Sequence, residues 1–152
     1  VFSPVYSFKT PASPHHAARL ENTTIDVQTI IPPQTARPLI IEGIGGVYVP
    51  LTTSQLTIDH FKTWDCSWII VSKNYIGSIN HTLLTIDALK QHNIPIAGLI
   101  FNGEPNQDSE VAILKISKLP FLARLLPEET INQSTIQRYA TLWLPHVSHL
   151  IR

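Results

Sequence analysis

Methionine is absent from the 152 residues, and cysteine occurs once. The single thiol, Cys66, excludes an internal disulfide, and its place just before the apolar run Trp68 to Val71 predicts a packed thiol rather than a nucleophile. A chain that opens Val1-Phe2-Ser3-Pro4 without a methionine or a processing pattern reads as a fragment. Excess charge is missing too: Lys+Arg and Asp+Glu each total 11, so no net field favours nucleic acid or an anionic membrane, and neither is an expected partner. No apolar run approaches the roughly 20 residues that span a bilayer, and no charged-then-apolar leader opens the chain, which predicts a soluble, cytoplasmic protein. A hydrophobic content of 43% suits one globular domain, expected here as a single, incomplete unit over 1–152.

Glycine is sparse, six in all, yet Gly43, Gly45 and Gly46 fall together in the stretch Ile40 to Pro50. Pro38 to Ile41 has the apolar character of a short strand, Glu42 follows where such a strand emerges, and the glycines permit a tight turn. In open α/β sheets ligands bind beyond the carboxyl ends of the strands. A carboxylate followed by glycines at that edge is placed to meet Mg²⁺ and phosphates, and a solvated strand-to-loop turn is the plainer alternative.

Taken in order, Val1 to Ser13 is proline-punctuated and extended, and Ser13-Pro14 has the form of an N-cap with proline at the first helical position. His15 and His16 lie about 100° apart on that helix and have no third ligand at a useful spacing, so a metal site there is not expected. Ile25 to Ile31 has weak helical character and is stopped by Pro32-Pro33. Val47 to Leu51 is extended, and Thr57 to Trp64 patterns as a short amphipathic helix with Ile58, Phe61 and Trp64 inward. Trp68 to Val71 is the second expected strand. A polar loop then leads into a helix ending near His92, with Ile79, Leu83, Ile86 and Leu89 or Lys90 at helical spacing and Asn93 as its stop. Ile94 to Phe101 is a third strand, apolar on both faces and closing at Asn102-Gly103. Asp108 to Lys118 reads as a crossover helix, Phe121 to Leu126 as a fourth strand, and Asn132 to Leu150 as a terminal helix interrupted by Pro145. Strands separated by helices imply a parallel α/β sheet with helices on both faces. Glu42, Asn80 and Asn102 all fall at or just after strand ends.

Four segments, SPHHAA (Ser13 to Ala18), IIEGIGGVYVPL (Ile40 to Leu51), IGSINHTLLTIDALK (Ile76 to Lys90) and GLIFN (Gly98 to Asn102), resemble the ATP-dependent dethiobiotin synthetases in order and approximate spacing. They span most of the chain. The family's glycine-rich phosphate loop with Lys-Thr, and the lysine-bearing strand after it, do not occur among these residues. The resemblance therefore implies the C-terminal two-thirds of a P-loop NTPase-like sheet with its N-terminal phosphate-loop unit missing.

The same resemblance implies a homodimer that closes the ureido ring of a biotin precursor. An amine of 7,8-diaminononanoate takes up CO2, Mg·ATP phosphorylates the carbamate, and the second amine displaces phosphate. On this reading Glu42 is the Mg²⁺ ligand, and Glu42, Gly43, Ile44 and Gly45 line the nucleotide, with Ile44 standing where the family usually has alanine. Asn102 matches the adenine-reading asparagine, whose amide donates and accepts at once. Pro127, Glu128 and Glu129 fall where the family wraps adenine. Asn80, in a loop that reaches the neighbouring subunit, matches a substrate-carboxylate donor, and a helix N-terminal role is compatible with it. Ser13 and Pro14 match a diamine-pocket motif or simply cap a helix. The isolated chain is expected to be inactive; the alternative is a non-catalytic remnant or dimerisation module of a P-loop-like ATPase.

Overall fold

Ser13-Pro14 does open a helix, α1 (Pro14–Leu20), which buries Pro14, Ala17 and Ala18. The structure, a computed structural model, describes residues 1–150. They fall into two compact units, Val1–Trp64 and a second from Asp65 onward.

In the first unit the weakly helical stretch shrinks to one 3₁₀ turn, Val27–Thr29, capped by the Asp26 carboxylate, which accepts the Gln28 N–H at 3.0 Å. Helix α2 (Thr57–Phe61) buries Ile58 completely; Trp64 lies past its end, with its ring 4.6 Å from that of Phe61. The segment before it, expected to be extended, instead turns at Val47 and Tyr48, where the Val49 N–H donates to the Gly46 carbonyl at 3.1 Å, and it meets the helix start: Thr57 N–H donates to the Val49 carbonyl at 2.8 Å and Ile58 N–H to that of Val47 at 2.9 Å.

The strand expected over Leu39 to Glu42 does not form. These residues are irregular, and Ile40 is 94% exposed. The reason is physical: an apolar run becomes a strand only beside another strand that satisfies its N–H and C=O groups. Within this unit the one strand-like pairing is the antiparallel bridge between Pro50 and Leu56.

The second unit carries the sheet. Strands β1 (Trp68–Lys73), β2 (Ile96–Asn102) and β3 (Phe121–Leu125) run parallel in the order β1-β2-β3. Helix α3 (Ser78–Gln91) crosses from β1 to β2, and α4 (Gln107–Ser117) from β2 to β3. The two crossover helices pack on each other, as crossovers of the usual right hand advancing in one direction along a sheet require. Ile70, Leu99 and Phe101 of the sheet and Ile86, Leu89 and Ile113 of the helices are all buried in the core. Helix α3 turns Ser78, Thr82, Ile86 and Leu89 inward rather than Ile79 and Leu83, which are half-buried. The sheet explains that rotation, because β1 presents buried Ser72 there and its hydroxyl bonds that of Thr82 at 2.8 Å. Asn93, at φ +56°, ends the run as expected.

Helix α5 (Gln133–Val147) flanks β3; the Asn132 side chain caps it, accepting the Thr135 N–H at 3.0 Å, and the helix continues through Pro145. On the face of β1 turned away from α3, Ile69 and Val71 are 39% and 62% exposed, so helical cover there is incomplete. Cys66 is exposed and not packed, since it precedes β1 in an irregular segment. Partial burial nonetheless holds its thiol pKa above the usual range, which opposes nucleophilic activation. Among the described residues, no helix is long and apolar enough to cross a membrane.

Strands β2 and β3 approach closely at Gly98, where an added Cβ would lie 2.7 Å from the Pro120 carbonyl oxygen and 2.7 Å from Leu122 Cγ. Gly98→Ala is expected to lower stability by about 1–3 kcal/mol through overpacking. A lowered urea midpoint with an unchanged m-value is the expected observation; an unchanged midpoint would refute it.

Candidate functional site

The carboxyl ends of the three strands form one edge, with Lys73, Asn102 and Leu125 paired across it in register. Asn102 is half-buried as the last residue of β2. Gly103 then turns the chain at φ +109°, a conformation that favours glycine, and its N–H donates to the Leu125 carbonyl at 2.8 Å. The backbone leaving the central strand is thus tied to the neighbouring strand's end.

Beyond β3, residues 126–129 are held by α5. Tyr139 is buried, and its hydroxyl accepts the Leu126 N–H at 3.1 Å and donates to the Glu128 carboxylate at 2.6 Å. Arg138 pairs with the same carboxylate at 2.7 Å. The Tyr139 hydrogen bond first, then Arg138, holds the Glu128 carboxyl below the usual carboxylate range. Pro127 and Glu129 are exposed on either side. Residues 74–77 after β1 lead into α3, whose N-cap is Gly77; Asn80 lies exposed in its first turn and is not the cap.

The sequence reading passed over a polar cluster behind this edge. Glu110 on α4 forms a two-pronged ion pair with Arg124 on β3, with Arg124 Nη1 donating at 2.8 Å and Nη2 bonding the other carboxylate oxygen. The same carboxylate accepts from Asn74 Nδ2 at 2.7 Å and from the Asn106 N–H at 3.1 Å. Asn74 also donates to the Glu104 carbonyl at 2.9 Å. One signal was available: Glu110, Ile113 and Ser117 share the buried stripe of α4, and a carboxylate on such a stripe requires a partner.

The remaining sequence candidates lie in the first unit. Glu42, Gly43, Ile44 and Gly45 sit in an exposed, irregular loop, not at the end of a strand. Gly45 adopts φ +67° with Val49 Cγ2 2.8 Å from where a Cβ would be, whereas Gly43 faces open space. Pro14 is buried, and the Ser13 hydroxyl lies 3.2 Å from His15 Nδ1 rather than capping the helix, a task left to the Ser13 carbonyl, which accepts from His16 and Ala17. No group of three His, Cys, Asp or Glu side chains among the described residues could hold a metal ion, and the His15–His16 pair has no third ligand. The structure therefore gathers Asn102, Gly103, residues 127–129 and the start of α3 at one sheet edge, and groups Ser13–Pro14 and Glu42–Gly45 within the other unit.

Arg124 holds the Glu110 pKa down to about 2 from 4.5. Because the folded value is depressed, this stabilisation is present in full above about pH 4.5 and is lost as pH falls towards about 2. The side chains are 8% and 23% exposed for Glu110 and Arg124, so Glu110→Gln is expected to cost about 3 kcal/mol, the low end for breaking a buried pair. Denaturation of both proteins across that window tests it: the gap between them should close on acidification, and a gap independent of pH would refute the assignment.

The AAA domain family matches residues 1–135. The ATP-dependent dethiobiotin synthetase BioD of Chlamydia abortus is 43% identical over 138 residues, covering 91% of this chain and 66% of that protein. The same-named proteins of Chlamydia pneumoniae and Agrobacterium fabrum are 42% and 40% identical, with 91% and 88% of this chain covered and 63% and 66% of theirs. The chain thus spans just under two thirds of the length of these curated relatives. It belongs to the AAA domain family and is a homologue of the ATP-dependent dethiobiotin synthetases.

Proposed function

We propose that this chain carries the base-reading edge, the metal carboxylate and the substrate loop of an ATP-dependent dethiobiotin synthetase, a cytoplasmic homodimer that converts 7,8-diaminononanoate and CO2 to dethiobiotin. The observation that carries the reading is the sheet edge itself: Asn102 closes the central parallel strand, and the segment at 127–129 is pinned after the adjoining strand. That is the place where nucleotides meet an open α/β sheet. In this reading the Asn102 amide donates to and accepts from the adenine edge, and Pro127, Glu128 and Glu129 border the base.

Glu42 is the expected Mg²⁺ ligand, together with nucleotide phosphates. One exposed carboxylate in a glycine turn fits that role, because Mg²⁺ usually takes only one or two protein carboxylates and completes its shell with phosphate oxygens and water. Bound there, the ion would neutralise charge on the transferring phosphoryl group. Gly43, Ile44 and Gly45 bring backbone toward the nucleotide, Asn80 and the α3 N-terminus receive the substrate carboxylate, and Ser13 and Pro14 border the diamine.

No glycine-rich phosphate loop with Lys-Thr or Lys-Ser occurs in the 152 residues, so the chain alone is expected to bind ATP weakly through its base edge and not to turn it over. Titration of the isotopically labelled chain with ATP should shift amide resonances at Asn102, Gly103 and 126–129. Fused behind a phosphate loop and lysine strand of the family, the chain should form dethiobiotin, and Glu42→Gln should abolish that activity without unfolding it. Undiminished turnover by the variant, or efficient synthesis by the 152 residues alone, would refute the reading.

A further inference from the structure

The proposed base edge includes a segment, 126–129, with no regular structure of its own, and the geometry points to a single side chain that fixes it. We propose that Tyr139 is a positioning residue for that segment, and so for recognition of the adenine base; this rests on the nucleotide-site reading above. Its ring is buried on α5, and its hydroxyl uses both capacities at once, accepting the Leu126 N–H and donating to Glu128. The two partners flank Pro127, so the hydroxyl clamps the segment on both sides of that residue.

Arg138, adjacent on α5, holds the same Glu128 carboxylate oxygen, and its guanidinium lies 5.0 Å from the Tyr139 ring centroid. Glu128 is therefore engaged with α5, and its charge holds in place the segment proposed to border the base. One turn on, Trp143 donates its indole N–H to the Arg124 carbonyl at 3.1 Å, a bond to β3 itself and not to the segment after it. The two aromatic residues, edge-on at 5.6 Å, thus have separable tasks on one helix.

Tyr139→Phe removes both hydroxyl bonds and keeps the ring. It should speed hydrogen exchange at the Leu126 amide about tenfold and weaken ATP binding about fivefold, while circular dichroism stays unchanged. Trp143→Phe, which loses one bond to β3, should lower the melting temperature without weakening ATP binding. Wild-type ATP affinity in Tyr139→Phe, unaltered exchange at Leu126, or an equal loss of affinity in Trp143→Phe would each overturn the proposal. If the unmodified chain shows no ATP-dependent shifts at Asn102 or 126–129, the nucleotide-site reading fails and this role falls with it; normal shifts that Tyr139→Phe leaves intact refute the positioning role alone.

Discussion

The Glu110 carboxylate is the interaction on which the sheet edge depends. Arg124, Asn74 and the Asn106 backbone all converge on it, so one side chain ties β3, the loop after β1 and the loop after β2 to the start of α4. A parallel sheet releases its chain at the carboxyl end of every strand, and the departing loops have no ladder of their own to hold them. A buried acceptor shared among them supplies that order. The cost is desolvation, offset only because nearly every lone pair finds a donor; a carboxylate at this depth with one partner fewer would be a liability.

Backbone pairing imposes the other large constraint. Leu39 to Ile41 has the composition of a core strand, and Ile69 and Val71 on β1 have that of a covered face, yet Ile40, Ile41, Ile69 and Val71 are exposed. Each pair needs something alongside: the first a neighbouring strand, the second packing against its open face. Apolar character in a sequence thus records the environment for which a segment is built, and the local fold reports whether that environment is present.

That distinction explains what was legible in the residues. The β1-α3-β2-α4-β3 course was readable because each strand and helix is specified locally: Asn93 and Lys118 adopt positive φ at helix ends, Asn132 caps α5, and Gly98 and Gly103 sit where backbones approach or turn. The order of Asn80 and Asn102 along one edge followed from that course. The strand at Leu39 and the packed Cys66 were misread, because both inferences used apolar neighbours in sequence as a proxy for neighbours in space. The inward face of α3 was misjudged for a related reason: the hydroxyl of Ser72 makes Thr82 a better core residue than hydropathy ranks it. Neither the Glu110 cluster nor the Tyr139 clamp has a sequence spacing to betray it, since their partners lie 14 and 36 residues apart in one case and 13 and 11 in the other.

The charges at the edge bear on what it would bind. Glu110 is matched by Arg124 and Glu128 by Arg138, so the four groups neutralise one another in pairs. An edge built to grip phosphates would leave cations unpaired or offer the N–H groups of a glycine-rich loop. Two strand-end groups remain on offer: the exposed Lys73 ammonium on β1 and the Asn102 amide on β2, the latter set between a left-handed glycine and a clamped segment. In the proposed reading the amide serves a flat, hydrogen-bonding group such as a purine base, for which fixed geometry contributes more than charge. With Glu110 and Glu128 each matched by an arginine, Lys73 is the strand-end charge beside that amide, and the proposed base site relies on hydrogen-bond geometry more than on field.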